Sequence, residues 1–239
     1  VRAIAIAAGV EPGLVEEARD ALADANAQFA RDRLALVSAF GPGSIVIAHL
    51  LRQLRTRVPV VFVDTLHHFP ETLALAERVT AFFGLDLRVF RAATTREEFE
   101  SLHGPDLWAR DLARYQRLTK IEPYARAMTG LDACITGRRR EQAETRAALP
   151  IREEGQPVRF NPLASWRRAD VWSWIRRHDL PYNPLHDRGY ASIGDAPLTT
   201  PVRDGEHERA GRWRGTDRTE CGIHFLNNEA TIPPRPMEA

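Results

Sequence analysis

The chain has 239 residues, 44% of them hydrophobic, enough to bury the core of one large domain or of a domain with a tail. Thirty-three basic and thirty-two acidic side chains leave a formal charge of +1, which argues against bulk electrostatic binding to nucleic acid or an acidic membrane, so any anion site must be local. No apolar run is long enough for a membrane span, no basic-then-apolar leader opens the sequence, and two distant cysteines form no disulfide framework; a soluble, cytoplasmic protein is expected.

Residues 1–33 read as an N-terminal helical segment, with an Ala-rich amphipathic helix from Pro12 to Arg33. An α/β domain follows over 34–180. Leu34-Ala35-Leu36-Val37 is a short apolar run that stops at Ser38-Ala39-Phe40-Gly41-Pro42-Gly43-Ser44, after which Ile45, Ile47, Leu50, Leu51 and Leu54 form a helical stripe. The plan repeats in Val58 to Val63, then Asp64-Thr65-Leu66-His67-His68-Phe69, then Pro70 opening a helix. A third strand is predicted over Leu85 to Phe90, helix over Thr95 to Met128 with a break at Gly104-Pro105, and a fourth strand over Ala133 to Thr136. Arg138 to Gln142 then opens another helix, Val158 to Phe160 is a fifth strand, and Arg168 to His178 is a helix whose Val171, Trp172, Trp174 and Ile175 face the core. Such strands, each followed by a helix, imply a Rossmann-like parallel sheet with helices on both faces, which binds ligands at the strands' carboxyl ends.

From 181 to 239 the periodicity is lost, as expected of a mobile closing arm. Within it lies Arg218-Thr219-Glu220-Cys221-Gly222-Ile223-His224. The thiolate is the reactive form of cysteine, and Arg212, Arg214, Arg218 and His224 are cations able to favour it. Local context fits both a nucleophile and an incidental surface thiol. Cys134, inside an apolar strand, reads as a core residue.

Three strand-end loops carry anion-binding equipment. Ser38, Gly41, Gly43 and Ser44 offer backbone N–H groups and hydroxyls before a helix. Asp64 and Thr65 end the second strand, where a carboxylate commonly meets ribose or adenine or else caps the helix. Arg139 and Arg140 could fork onto phosphate oxygens, although an Arg run is often a solvated face. Lys120 is the sole lysine among the thirty-three basic residues.

Taken in order, Ser38-x-Phe40-Gly41, Asp64-Thr65-Leu66-His67-His68-Phe69-Pro70-Glu71-Thr72, Lys120-Ile121-Glu122-Pro123, Gly137-x-Arg139-Arg140-Glu141-Gln142, Ser192-Ile193-Gly194-Asp195 and Glu220-Cys221-Gly222-Ile223-His224 resemble the assimilatory reductases of phosphoadenylyl sulfate and adenylyl sulfate. The resemblance runs from about residue 30 to residue 228. It implies a fold of the adenine nucleotide alpha hydrolase-like type and a role in sulfate assimilation toward cysteine biosynthesis. Cys221 would attack the sulfonucleotide sulfur to give an S-sulfocysteine, from which reduced thioredoxin or glutaredoxin releases sulfite. By the same resemblance Ser38, Phe40, Gly41, Ser44, Asp64, Thr65, Arg139 and Arg140 serve the nucleotide, Lys120, Arg209, Arg212 and His224 hold the phosphosulfate, and a homodimer is the family expectation.

The family's iron–sulfur branch hangs its cluster on two cysteine pairs. Here Tyr115 and Gln116 stand at the first and Asp195 and Leu198 at the second, so no iron–sulfur cluster and no other metal is expected. Lack of the cluster accompanies preference for the 3'-phosphorylated nucleotide in that family. Yet His207-Glu208-Arg209-x-Gly211-Arg212-Trp213 resembles the tail of the cluster-bearing branch, which keeps adenylyl sulfate as the alternative substrate. Two other readings remain. An ATP pyrophosphatase-type nucleotidyl transferase would need glycines where Ala39 and Phe40 stand, and a non-catalytic redox sensor would bind nucleotide without releasing sulfite.

Overall fold

The computed structural model describes residues 9–214. Helix α1 (Pro12–Gln28) leads into β1 (Leu34–Val37), α2 (Pro42–Gln53), β2 (Val60–Val63), α3 (Pro70–Phe83) and β3 (Leu87–Phe90). Three short helices, α4 (Arg96–His103), α5 (Leu107–Arg110) and α6 (Leu112–Gln116), run through a widened turn at Arg117–Ile121 into α7 (Glu122–Met128). Then come β4 (Ala133–Thr136), β5 (Arg152–Glu153), β6 (Val158–Phe160) and α8 (Arg168–Arg177).

The six strands lie in the order β3-β2-β1-β4-β6-β5, parallel except for β5 at the edge. Alternation along each strand divides the core. Leu34, Leu36, Val60, Phe62, Ala133 and Ile135 join the large cluster with α1, α2, α3 and α8, whereas Ala35 and Val61 face α7 through Ala127. The chain builds outward from β1 to β3 and then returns to β4 on the other side of β1. That reversal opens a crevice between the carboxyl ends of β1 and β4. Gly43 and Gly137 meet there so closely that a Cβ on Gly43 would lie 2.9 Å from the Gly137 carbonyl oxygen.

The predicted strands and the helix starts at Pro12 and Pro70 are present, with the third strand shortened to Leu87–Phe90, and the helix expected after Ser44 begins earlier, at Pro42. The first helix ends at Gln28, since Phe29 is already extended. The predicted break at Gly104 is seen, and further breaks fall at Asp106, which is left-handed, and Asp111, whose carboxylate caps Arg114 N–H. The helix expected from Arg138 to Gln142 is replaced by two single turns, Arg140–Gln142 and Glu144–Arg146. Its backbone donors are taken elsewhere: Gln142 Oε1 accepts Arg139 N–H, and Ala164 O accepts Arg140 N–H. Among the described residues no helix is long and apolar enough to cross a membrane.

Candidate active site

The β1–α2 loop is held by its own polar side chains. Ser38 Oγ accepts Phe40 N–H at 2.9 Å and donates to Ser44 Oγ at 2.8 Å, and the Ser44 hydroxyl donates to Gly41 O at 2.9 Å. Phe40 adopts φ of 56°, a conformation costing about 1–2 kcal/mol outside glycine, and its buried ring meets Phe62 edge-on at 5.3 Å. The ring thereby anchors a strained turn. Its backbone stays in the crevice wall.

A cavity of about 300 Å³ opens above this loop, lined by Phe40, Gly41, Ser44, Gly137, Trp172 and His186 and by the guanidinium-bearing Arg138, Arg139, Arg146, Arg159, Arg168, Arg209 and Arg212. Among the described residues Glu208 is the only carboxylate in this wall. It is already engaged, 3.2 Å from Arg139 Nη2 and 3.9 Å from Arg168 Nε. Seven arginines line the cavity, three of them paired to Glu208 in its wall or to Glu153 behind it, which concentrates positive charge here in a chain of net charge +1. Arg138, Arg139, Arg146 and Arg159 are buried, so their charges act with little screening by water. A larger groove of about 720 Å³ sits at the opposite, amino-terminal edge of the sheet and holds none of the predicted site residues.

Other predicted residues lie outside that cavity. Asp64 is buried, with Oδ1 accepting Leu66 N–H at 2.9 Å and Oδ2 paired to Arg91 at 2.6 Å, and Leu66 takes φ of 64° within the turn so formed. Arg140 extends to Leu149 O at 2.8 Å and to Ser165 Oγ at 3.0 Å. Thr65 and Lys120 join a second ionic group: Thr65 Oγ1 donates to Asp195 Oδ1 at 2.9 Å, and Lys120 Nζ lies 2.7 Å from Oδ2. Burial opposes ionisation of Asp195, but Lys120, His68 and Arg212 outweigh it and hold the carboxyl well below its usual range. Burial, reinforced by Asp195, pushes the Tyr115 hydroxyl far above its ordinary value, so it remains protonated. Cys134 is raised to about 11 by burial, which fits an inert core thiol. Cys221 and His224 lie outside the described residues.

Arg209 and Arg212 come from the segment following α8. Asn183 fastens that segment through its amide to Thr72 Oγ1 at 3.0 Å, and Arg188 pairs with Glu71 at 2.7 Å. Trp213 N–H bonds to Leu198 O at 3.0 Å, and the Arg212 guanidinium lies 4.5 Å from the Trp213 ring. Sequence reasoning missed Arg138, Arg146, Arg159 and Arg168 as cavity residues. They come from separate stretches of the chain, and with so many arginines in the sequence only folding singles them out.

Residues 33–201 match the model of the phosphoadenosine phosphosulfate reductase domain. The chain belongs to the phosphoadenosine phosphosulfate reductase family. It is 45% identical over 193 residues to a probable phosphoadenosine phosphosulfate reductase of Schizosaccharomyces pombe, covering 78% of this chain and 73% of that one. It is also 42% identical over 197 residues to the adenosine 5'-phosphosulfate reductase of Anoxybacillus flavithermus, covering 81% and 84%. Among solved structures, the phosphoadenylyl-sulfate reductase of Candida auris in its phosphate complex superposes with TM-score 0.70 at 31% identity, over 82% of this chain and 99% of that chain. A Candida glabrata FMN adenylyltransferase, 15% identical with TM-score 0.57 over 90% and 80%, shares the nucleotide alpha hydrolase-like fold alone. As a member of the phosphoadenosine phosphosulfate reductase family the chain is an oxidoreductase.

Proposed function

We propose that the protein reduces 3'-phosphoadenylyl sulfate to sulfite and adenosine 3',5'-bisphosphate, with reduced thioredoxin or glutaredoxin as electron donor, in the cytoplasm. The observation that carries this reading is the seven-arginine cavity between β1 and β4, whose wall includes Arg209 and Arg212, shortly before Cys221 in the chain. A nucleotide bearing a phosphosulfate and a further phosphate suits a cavity so rich in guanidinium groups. Adenylyl sulfate, with one phosphate fewer, is the alternative substrate, and relatives bearing both names match the chain about equally well.

In the first stage the Cys221 thiolate attacks the sulfonate sulfur. A sulfur–sulfur bond forms, the sulfur–oxygen bond to the phosphate breaks, and the nucleotide leaves with the bonding pair. Cationic side chains at the phosphosulfate assist by stabilising charge as it moves onto the departing phosphate. In the second stage one thiol of the reduced dithiol protein attacks Cys221 Sγ and expels sulfite, and the other thiol then resolves the mixed disulfide. Two electrons pass from the dithiol to sulfur.

The reaction is proposed to run without an iron–sulfur cluster. Two features support this: only two cysteines are present, and the four positions that carry cluster cysteines in the other branch hold Tyr115, Gln116, Asp195 and Leu198. Tyr115 and Gln116 are buried, Leu198 packs against the cluster containing Tyr115, and Asp195 is ion-paired. Protein mixed with each sulfonucleotide without reductant should gain one SO3 unit by intact mass, Cys221→Ser should gain none, and reduced thioredoxin should remove it as sulfite. Protein that binds nucleotide but gains no such unit from either sulfonucleotide would leave the redox-sensor reading ahead.

A further inference from the structure

Asp195 is the least exposed carboxylate among the described residues, yet it belongs to a segment that otherwise lies on the surface of the sheet's carboxyl edge. Two backbone anchors fix it there: Ala196 N–H bonds to His67 O at 2.7 Å, and Thr199 Oγ1 donates to Asp195 O at 2.7 Å. The carboxylate pairs with Lys120 from the turn before α7 and accepts from Thr65 in the loop after β2, while His68, Tyr115 from α6 and Arg212 interact with it electrostatically. Arg212 reaches back over the same segment. Its Nη1 donates to Ile193 O at 3.2 Å, and its guanidinium lies so flat on Gly194 that a Cβ there would fall 2.1 Å from Nη2.

The segment whose Asp195 carboxylate holds Lys120 therefore also carries the Arg212 guanidinium on its Ile193–Gly194 backbone, and only Arg212 lines the cavity. We infer that Asp195 is a positioning residue, the counter-ion that clamps its own segment to the Lys120 ammonium and so couples Lys120, through the Ile193–Gly194 backbone and the Arg212 guanidinium resting on it, to the occupant of the cavity. A buried ammonium needs an anionic partner to remain away from water, and Asp195 supplies it at 2.7 Å. The inference depends on the sulfonucleotide reading only for which group of the substrate these cations serve.

The chain offers an unusually direct probe, because Lys120 is its only lysine and lysine-selective isotope labelling gives one side-chain ammonium signal by nuclear magnetic resonance. In Asp195→Asn that signal should move, and in protein also carrying Cys221→Ser it should lose its response to adenylyl sulfate. Sulfite release by Asp195→Asn should fall roughly 10- to 100-fold in kcat with little change in KM. Gly194→Ala guards against a folding failure, since the three atoms nearest its new methyl group all belong to the Arg212 guanidinium rather than to backbone. It should shift the lysine signal although Gly194 is not a partner of Lys120. An unmoved lysine signal in folded Gly194→Ala, or an unaltered response to adenylyl sulfate in Asp195→Asn, overturns the coupling. Failure of the parent protein to release sulfite from either sulfonucleotide would instead overturn the reaction, and the ligand-free lysine signal would still decide the role of Asp195.

Discussion

Two ionic groups sit at the same edge of the sheet and are built on opposite principles. Around the cavity between β1 and β4, seven arginines outnumber the carboxylates Glu208 and Glu153 with which three of them pair, whereas at the end of β2 the buried charges of Lys120 and Asp195 meet one to one at 2.7 Å. A group in which cations outnumber the carboxylates around a cavity attracts an incoming anion, which is the property expected of a binding site. A matched pair gains little from a ligand and fixes geometry instead. The residues predicted to hold the phosphosulfate thus divide between the cavity wall, with Arg209 and Arg212, and the ion pair of Lys120, while His224 lies outside the described residues.

The sharpest way to break this comparison is to unbalance the matched pair. Lys120→Met leaves Asp195 buried and charged, and should lower stability in urea by about 3–5 kcal/mol, whereas adding Asp195→Leu should recover most of that loss. A single-variant loss under about 1 kcal/mol would mean that the pair is solvated rather than buried. Next in size is Gly43→Ala, whose methyl group would meet the Gly137 carbonyl oxygen at 2.9 Å and force the β1 and β4 loops apart. It should cost about 1–3 kcal/mol and weaken nucleotide binding together with stability. Stability unchanged would show that the crevice yields freely.

A smaller effect should follow pH. His186 in the cavity wall and His49 beside Trp174 are each lowered to about 4, chiefly by burial, with His178 and two arginines adding to the shift at His49. The unfolded chain takes up protons near pH 6.5 while these folded histidines stay neutral, so stability is full above about 6.5 and is lost as pH falls toward 4. The urea midpoint should therefore be lower at pH 5 than at pH 7.5, and His49→Gln should flatten part of that slope. A level profile across this range would contradict the burial of both rings. The smallest effect belongs to the exposed Arg33–Asp132 pair, where Arg33→Gln should leave the urea midpoint unchanged within error.

Much of this architecture was legible because parallel strands buried on both faces are written as apolar runs, as in Leu34–Val37 and Val60–Val63, with a proline opening each following helix. The antiparallel β5 was not, since its Arg152 and Glu153 carry neither alternation nor length. Within the site, Ser38, Gly41 and Ser44 were readable as a strand-to-helix loop. Lys120 was conspicuous as the only lysine, but its partner was hidden, because the pairing with Asp195 joins a turn in the helical region to a loop far along the chain. The glycines of Ser192-Ile193-Gly194 and Arg209-x-Gly211-Arg212 carry a similar hidden message. At Gly194 the Arg212 guanidinium, and at Gly211 the Thr200 carbonyl, comes closer than a methyl group would permit.

The surplus of charge in the cavity is tested most directly by titrating the folded protein calorimetrically with adenosine, adenosine 5'-phosphate and adenosine 3',5'-bisphosphate at two salt concentrations. Affinity should climb with each added phosphate, fall as salt rises, and drop roughly 10- to 100-fold for the bisphosphate in Arg139→Gln. Adenosine bound as tightly as its bisphosphate, at either salt concentration, would contradict the assignment of the arginine cavity as the receiving site.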